Sequence, residues 1–598
     1  MATDEVNSKE SSEKLTENLG RIEELSERFA AALAKKQPIR PSLQGPGQDF
    51  YMKTMGAYWS EMMENPGKML ENQVEYWGRT LRHAVEAQQA MLTQGTTPED
   101  HTPKDPRFRN PLWDTHPYFN YLKQQYLITS EAMNEAVEGL EGLDDSDRRR
   151  VTFFTQQIVD LMSPTNFLAT NPDALERAVE TEGQSLVDGL ENMIRDLERH
   201  DGELVVTLSD PDAFKVGENL GTAEGNVVFR NRMMELIQYK PTTEKVYSRP
   251  LLIFPPWINK FYILDLKPEN SLIRWIVDQG FTLYVVSWIN PDESYADVGM
   301  EDYVEEGFFT AIDEVRAMTG QDKINVIGYC IAGTTLALTL SLLKQRGEDK
   351  INSATFFTAL TDFSDRGEVG VFLDDDFVDG IEAEVEETGI LPSLYMSRTF
   401  SYLRSRDLVY GPAIKSYMMG AAPPAFDLLY WNGDSTNLPG RMATQYLRGL
   451  CQRDEFAGEG KGFPILGTRA RIEEVEVPIC AIACETDHIA AWKSSYRGMR
   501  KMGSKDKTFI LSESGHIAGI VNPPSKKKYG HYTNEDWPEA PEDWLEAADK
   551  HEGTWWHRWG KWLAKRSGKK IEAREVGDSD HPPLEKAPGT YVVASPKV

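Results

Sequence analysis

The sequence predicts an α/β architecture: a largely parallel sheet covered by helices on both faces, interrupted by an inserted cap and preceded by a helical domain. Three observations predict it. Short continuous apolar runs recur along the second part of the chain. Amphipathic helical patterns separate them, the alternation of a parallel sheet. Before them, the first 200 residues show helical spacing and no strand-like run.

The elements follow in order. Residues 1–18 are polar and charged and are expected to form a flexible tail. A short helical pattern covers Leu19–Ala34. Lys36–Gly47 carries Pro38, Pro41 and Pro46 with two glycines, the composition of a linker. Residues 1–47 are therefore assigned to tail and linker, and 48–205 to a helical domain. Within that domain Met55, Trp59, Met62, Met69, Val74, Trp77 and Leu81 recur at helical spacing between Phe50 and Leu92. They suit either a core or an apolar docking face. A Pro- and charge-rich break at Gly95–Asn110 precedes helices at Pro117–Leu140, Ser146–Met162 and Asn171–Leu197.

Residues 206–598 form the α/β domain. Its apolar runs are Arg249–Pro255, Thr282–Trp288, Ile324–Tyr329, Ser353–Ala359, Pro478–Ala483 and Thr508–Leu511. Helical patterns at Pro268–Gln279, Met300–Thr319 and Ile331–Lys344 lie between several of them. The interval 361–476 breaks the alternation. It is rich in Tyr, Phe, Arg and Pro, as a cap would be.

Composition narrows the function. Across 598 residues, 65 Lys and Arg oppose 94 Asp and Glu, a formal charge of −29. That excludes nucleic acid as a main partner, because phosphate-binding surfaces need clustered cations. Four cysteines make no disulfide scaffold, and Cys451, Cys480 and Cys484 read as structural. Cys480 and Cys484 share one face of a strand without metal-site spacing, so no metal is expected. Apolar runs such as Leu251–Phe254 and Ile479–Cys484 are far below the roughly 20 residues of a membrane span. The first residues lack the basic-then-apolar pattern of a secretory signal. The expected location is the cytoplasm.

The chemistry sits after Ile324–Tyr329. That strand runs straight into Gly328-Tyr329-Cys330-Ile331-Ala332-Gly333 and then into a helical pattern. Strand, tight turn with a nucleophile at its tip, then helix is the nucleophile elbow of the α/β-hydrolase fold. Cysteine replaces the usual serine, and Ala332 stands where the second glycine of G-x-S-x-G is expected. The helix N-terminus offers N–H groups and a positive dipole to an oxyanion and a thiolate.

The partners should follow in the order nucleophile, acid, histidine. Asp487 comes just past the strand ending at Ala483, and His516 just past the strand ending at Leu511. His516 would take the thiol proton of Cys330, with Asp487 orienting it. The Ile331 N–H is one expected oxyanion donor, and the Ile258 N–H, in the loop after Leu251–Phe254, is the other. His488, Asn259 and Trp431 are expected in supporting roles, with His488 read as a packing or outer residue beside Asp487.

Several segments carry a family resemblance: LIQYKPTTEKVYSRPLLIFPPWINKFYILDL (236–266), SWINPD (287–292), GYCIAGT (328–334), TDFSDRGEVGVF (361–372), YWNGDSTNLP (430–439), DHIAAW (487–492), SGHIAGIVNPP (514–524) and the Trp-rich run 553–563. Over roughly residues 105–595 the chain resembles the class I polyhydroxyalkanoate synthases. The TTEKVY and PPWINKFYILDL wording favours class I. The resemblance implies an acyltransferase that polymerises (R)-3-hydroxyacyl-CoA, chiefly short chains such as 3-hydroxybutyryl-CoA. It implies Cys330 as acyl nucleophile and His516 as its base. Asp487 is either the third member of the triad or the activator of the acyl 3-hydroxyl. It further implies a gating cap, homodimerisation and association with the polyester granule and phasin-type proteins. No cofactor is implied, since CoA is part of the substrate. Two rivals remain: a thiol hydrolase or depolymerase of the same fold, and a non-catalytic granule-coating scaffold.

Overall fold

The computed structural model describes residues 18, 20–36, 48–64, 66–93 and 105–594. Most of the tail and linker expected over 1–47 lies outside the described residues, as does most of the break after Gly95. The chain divides into two compact units.

The first unit comprises residues up to Asp210 together with Arg404–Pro424. It is helical, with no strand among its described residues. The stretch expected at Phe50–Leu92 forms two helices, Gln48–Glu64 and Pro66–Thr93. Pro66 opens the second, where its missing N–H costs no bond. Asp144 caps the helix Asp145–Leu161 by accepting from the Asp147 N–H at 2.8 Å. The helix expected at Asn171–Leu197 is instead two, Pro172–Glu180 and Gln184–Arg199. The chain breaks at Glu182 and Gly183, whose φ values of 53° and 84° lie in the left-handed region. Gly183 ends the first helix by donating to Ala178 O at 2.8 Å.

The core of this unit gathers Phe108, Trp113, Phe119, Tyr126 and Val159. The aromatic and apolar residues at helical spacing stay outside it: Met55, Trp59, Val74, Trp77 and Leu81 are all more than half exposed. Residues Arg404–Pro424, inside the interval expected to form the cap, pack here on the helix Gln184–Arg199. Tyr417 donates to Asp196 Oδ2 at 2.7 Å, and Asn192 Nδ2 donates to Ser416 O at 3.2 Å.

The second unit is built on an eleven-stranded sheet. In chain order the strands are β1 (Gly225–Arg230), β2 (Met234–Tyr239), β3 (Leu251–Phe254), β4 (Leu283–Trp288), β5 (Ile324–Tyr329), β6 (Ile351–Phe357), β7 (Ile479–Cys484), β8 (Lys507–Ser512), β9 (His531–Thr533), β10 (Asp549–His551) and β11 (Glu585–Lys586). Across the sheet the order is β10-β9-β8-β7-β6-β5-β3-β4-β2-β1-β11. The six strands from β8 to β4 are parallel, and each corresponds to one of the apolar runs. The flanking strands are antiparallel. All residues of β3, β4, β5 and β7 are buried, the mark of parallel strands covered on both faces.

The strand order reverses around β3 and β5. From β3 the chain steps outward to β4, and from β5 it steps the other way to β6. The loops beyond the carboxyl ends of β3 and β5 therefore diverge and leave a crevice, the usual site position in such sheets.

The outer edge is closed by a strap. Glu235 on β2 is fully buried. It accepts from Arg230 Nε at 2.9 Å, from the Thr590 hydroxyl at 2.8 Å and from the Tyr591 N–H at 3.0 Å. The Thr590 N–H also reaches it at 3.1 Å. These bonds hold residues 585–593 against β1 and β2. Glu235→Ala leaves the Thr590 and Tyr591 N–H groups without an acceptor, a cost of about 3 kcal/mol. Amide hydrogen exchange over residues 585–593 is expected to speed up about a hundredfold. Unchanged exchange would show that β11 pairing alone holds the strap.

Candidate active site

Cys330 stands between β5 and the helix Ile331–Arg346, with φ 55° and ψ −125°. A non-glycine residue there carries backbone strain of about 1–3 kcal/mol, kept only where the surroundings enforce it. They do so here. The Cys330 N–H donates to Phe357 O at the end of β6, at 2.9 Å, and Cys330 O accepts from the Gly333 N–H at 2.8 Å. Strand and helix cross at Gly328 and Gly333: a methyl group on Gly328 would lie 2.6 Å from Gly333 Cα, and one on Gly333 would collide with Ala359 Cβ. The glycine that the close crossing demands is thus Gly333. Ala332 is buried without disturbing it.

The structure brings Asp487 and His516 to this turn. Asp487 follows β7, and its N–H donates to Cys484 O at 3.2 Å. Its Oδ1 accepts the Ile489 and Ala490 N–H groups at 2.8 and 2.9 Å. Its Oδ2 lies 2.7 Å from His516 Nδ1. The Asp487 side chain has no exposed surface. His516 follows β8 on a loop where Ser514 adopts φ 76°. The two loops are tied by the Thr486 N–H to Ser514 O at 3.0 Å.

His516 is buried, which by itself disfavours its charged form. The Asp487 carboxylate and Cys330, through charge and hydrogen bonds, outweigh that and raise its pKa from 6.5 to about 10. With Nδ1 on Asp487, Nε2 is the nitrogen left for Cys330. The three other cysteines differ. All are buried, and burial pushes the Cys451 thiol up to about 12 and raises those of Cys480 and Cys484 as well. Cys330 alone is partly exposed.

An apolar cavity opens over Cys330. Ile258 and Ile331 line it beside the thiol, and Phe363, Phe372, Phe400 and Met396 line its walls. These wall residues come from the interval that interrupts the strand alternation, and nothing in their own spacing marks them as cavity residues. The Gly333 and Thr334 N–H groups turn back to Cys330 O, which leaves those of Ile331 and Ala332 at the start of the helix to face an anion.

The expected supporting residues are placed as follows. His488 is half-buried and does not line the cavity. Asn259 accepts its neighbour Lys260 N–H at 2.8 Å. Trp431 is buried in the core of this unit, and its Nε1 donates to Lys260 O at 2.6 Å. Sequence reasoning missed Tyr329 as a support: its hydroxyl donates to His516 O at 3.2 Å, joining the elbow to the histidine loop. The Trp-rich run near 553–563 braces the same loop. Trp555 and Trp556 donate from Nε1 to Gly519 O at 2.7 Å and Ile520 O at 2.9 Å. Among the described residues no cluster of His, Cys, Asp and Glu is arranged to hold a metal ion, and no helix is long and apolar enough to cross a membrane.

Residues 104–276 match the family described as the poly-beta-hydroxybutyrate polymerase (PhaC) N-terminus, and residues 250–523 match the alpha/beta hydrolase fold. A poly(3-hydroxyalkanoate) polymerase of Methylorubrum extorquens is 39% identical over 600 residues, covering 97% of each chain. A poly(3-hydroxyalkanoate) polymerase subunit of Rhizobium meliloti is 38% identical, covering 97% of this chain and 95% of its own. That of Cupriavidus necator is 40% identical, covering 93% and 89%.

Proposed function

The chain belongs to the poly(3-hydroxyalkanoate) polymerase family, and we propose that it polymerises (R)-3-hydroxyacyl-CoA through an acyl thioester on Cys330. The observation that carries this reading is a partly exposed Cys330 on a strained turn, coupled electrostatically to a buried His516 that Asp487 holds.

In the first half-reaction Cys330 gives its proton to His516 and its sulfur attacks the thioester carbonyl. The carbonyl oxygen gathers negative charge, to which the Ile331 and Ile258 N–H groups donate hydrogen bonds. The intermediate collapses, the carbon–sulfur bond to CoA breaks, and the leaving thiolate takes the proton from His516. In the second half-reaction the 3-hydroxyl of another acyl unit gives its proton to His516 and attacks the acyl-Cys330 carbonyl. An ester forms and the Cys330 thiol is restored. CoA is substrate and leaving group rather than a resident cofactor.

Two bases could activate that hydroxyl. The Asp487 side chain is wholly covered, and both its oxygens are occupied by His516, Ile489 and Ala490. That favours His516 for both proton transfers and leaves Asp487 to orient it. The class I assignment rests on the sequence wording at 236–266, and the preference for short acyl chains on the family resemblance. Granule association, phasin-type partners and a homodimer belong to the same proposal.

The test is direct. With (R)-3-hydroxybutyryl-CoA the protein is expected to release CoA while turbidity grows, and to turn over an eight-carbon analogue at least about tenfold more slowly. CoA release in a clear solution containing free 3-hydroxybutyrate would establish hydrolysis instead. No CoA release would overturn the reading.

A further inference from the structure

We propose that Thr436 is a positioning residue that aims the Ile258 N–H at the thioester carbonyl, an inference that rests on the acyl-Cys330 reading above. The loop after β3 is tied residue by residue to the segment 431–436. The Thr436 hydroxyl donates to Trp257 O, and the Thr436 N–H donates to Ile258 O at 3.2 Å. Asn259 forms a β-bridge with Ser435. Trp431 holds Lys260 O, Lys260 Nζ lies 2.7 Å from Asp434 Oδ1, and the Tyr262 hydroxyl donates to Asp434 Oδ2 at 2.8 Å.

One of these bonds fixes the proposed oxyanion donor. Trp257 C=O and Ile258 N–H belong to the same peptide plane. In a trans peptide the two point in opposite directions, and the plane is stiff. Holding Trp257 O on the Thr436 hydroxyl therefore sets where the Ile258 N–H points. Ile258 lines the cavity at Cys330, and among the described residues no acceptor takes its N–H. The frame behind the bond is rigid. Thr436 is buried. The next residue, Asn437, donates its N–H to Asn290 Oδ1 at 2.9 Å and its side-chain amide to Pro291 O at 3.2 Å. On the other side the Trp257 ring stacks on Tyr303 at 4.5 Å.

Such a bond matters most where charge develops. A preorganised oxyanion donor contributes about a hundred- to thousandfold to rate, and a misaimed one keeps only part of it. Alkylation of Cys330 by iodoacetamide needs the same sulfur and the same His516 but forms no oxyanion. The two reactions separate positioning from general structural support.

The experiment uses full-length Thr436→Val and Thr436→Ser. Expected for Thr436→Val is a first-turnover CoA release from 3-hydroxybutyryl-CoA slowed about ten- to hundredfold, with KM within about twofold and iodoacetamide alkylation at the parental rate. Thr436→Ser, which keeps the hydroxyl, is expected to recover most of the acylation rate. If valine is not accommodated, Thr436→Ala carries the same comparison. Parental acylation in the valine variant would overturn the proposal, and so would equal slowing of acylation and alkylation. If the parent protein forms no acyl-Cys330, the reading beneath it falls first, and this role of Thr436 falls with it.

Discussion

Cys330→Ala is expected to release CoA at least about ten-thousandfold more slowly than the parent protein and to form no polymer, because what remains is binding and oxyanion stabilisation without a nucleophile. The comparison that gives this result its meaning is stability. Cys330 holds φ 55°, where a side chain is strained and glycine is not. Cys330→Gly should therefore be as inactive as the alanine variant yet more stable than it by about 1–2 kcal/mol, read from urea midpoints of the same transition. An inactive pair with that order of stability identifies a turn kept in place for its sulfur. Glycine and alanine variants of equal stability would mean the turn stores no strain. Full activity in either would remove Cys330 from the chemistry.

Asp487→Asn is expected to have the second-largest effect, and its signature is a pH profile. In the parent protein burial opposes the charge on His516, but Asp487 and Cys330 lift its pKa to about 10. Without the carboxylate, burial prevails over a weaker opposition and the value falls. The alkaline limb of CoA release, which reports loss of that proton, should move from near pH 10 toward neutrality, and the rate at pH 8 should fall about a thousandfold or more. Stability follows the same linkage. A histidine whose pKa rises on folding contributes fully below its ordinary 6.5, and the contribution is lost as pH rises through about 10. The stability gap between parent and Asp487→Asn should accordingly be widest below pH 6.5 and close toward pH 10. An alkaline limb that stays in place would show that another group holds the His516 proton.

The legible part of the fold was the part with a strong local signal. Each of the six parallel strands is a continuous apolar run, because both of its faces are covered. β2 was not legible, although every residue in it is buried, because Glu235 and Gln238 interrupt its apolar pattern. Their partners lie far along the chain, at Thr590 and Glu575, and no local window contains both ends. β9, β10 and β11 are two or three residues long, too short for any period. The break at Gly183 was readable in principle, since Glu182-Gly183 is a helix-stop signal inside an otherwise periodic stretch.

The site follows the same division. The strand–Cys330–helix pattern is contiguous, and Asp487 and His516 each follow a recognisable strand, so chain order alone nominated the trio that the fold gathers. The cavity walls at Phe363, Phe372 and Phe400 lie in the interval whose register with the sheet no local pattern sets. The role of the glycine at 333 was also hidden. The expected motif puts the close approach one position earlier, and only the crossing distance identifies Gly333.

The strap at the sheet edge also has a meaning in time. β1 pairs with β11 across about 360 residues of chain. At roughly 5–20 residues per second of synthesis, β1 leaves the ribosome about 20–70 s before its outer partner is made. Throughout that interval one side of β1 offers a row of unpaired N–H and C=O groups, and the Glu235 carboxylate waits without most of its donors. An open edge of this kind is a template for another chain. The making of β11 thus sets a deadline for this edge: chains released between β10 and β11 should yield aggregates seeded by β1, while chains released after residue 593 should not.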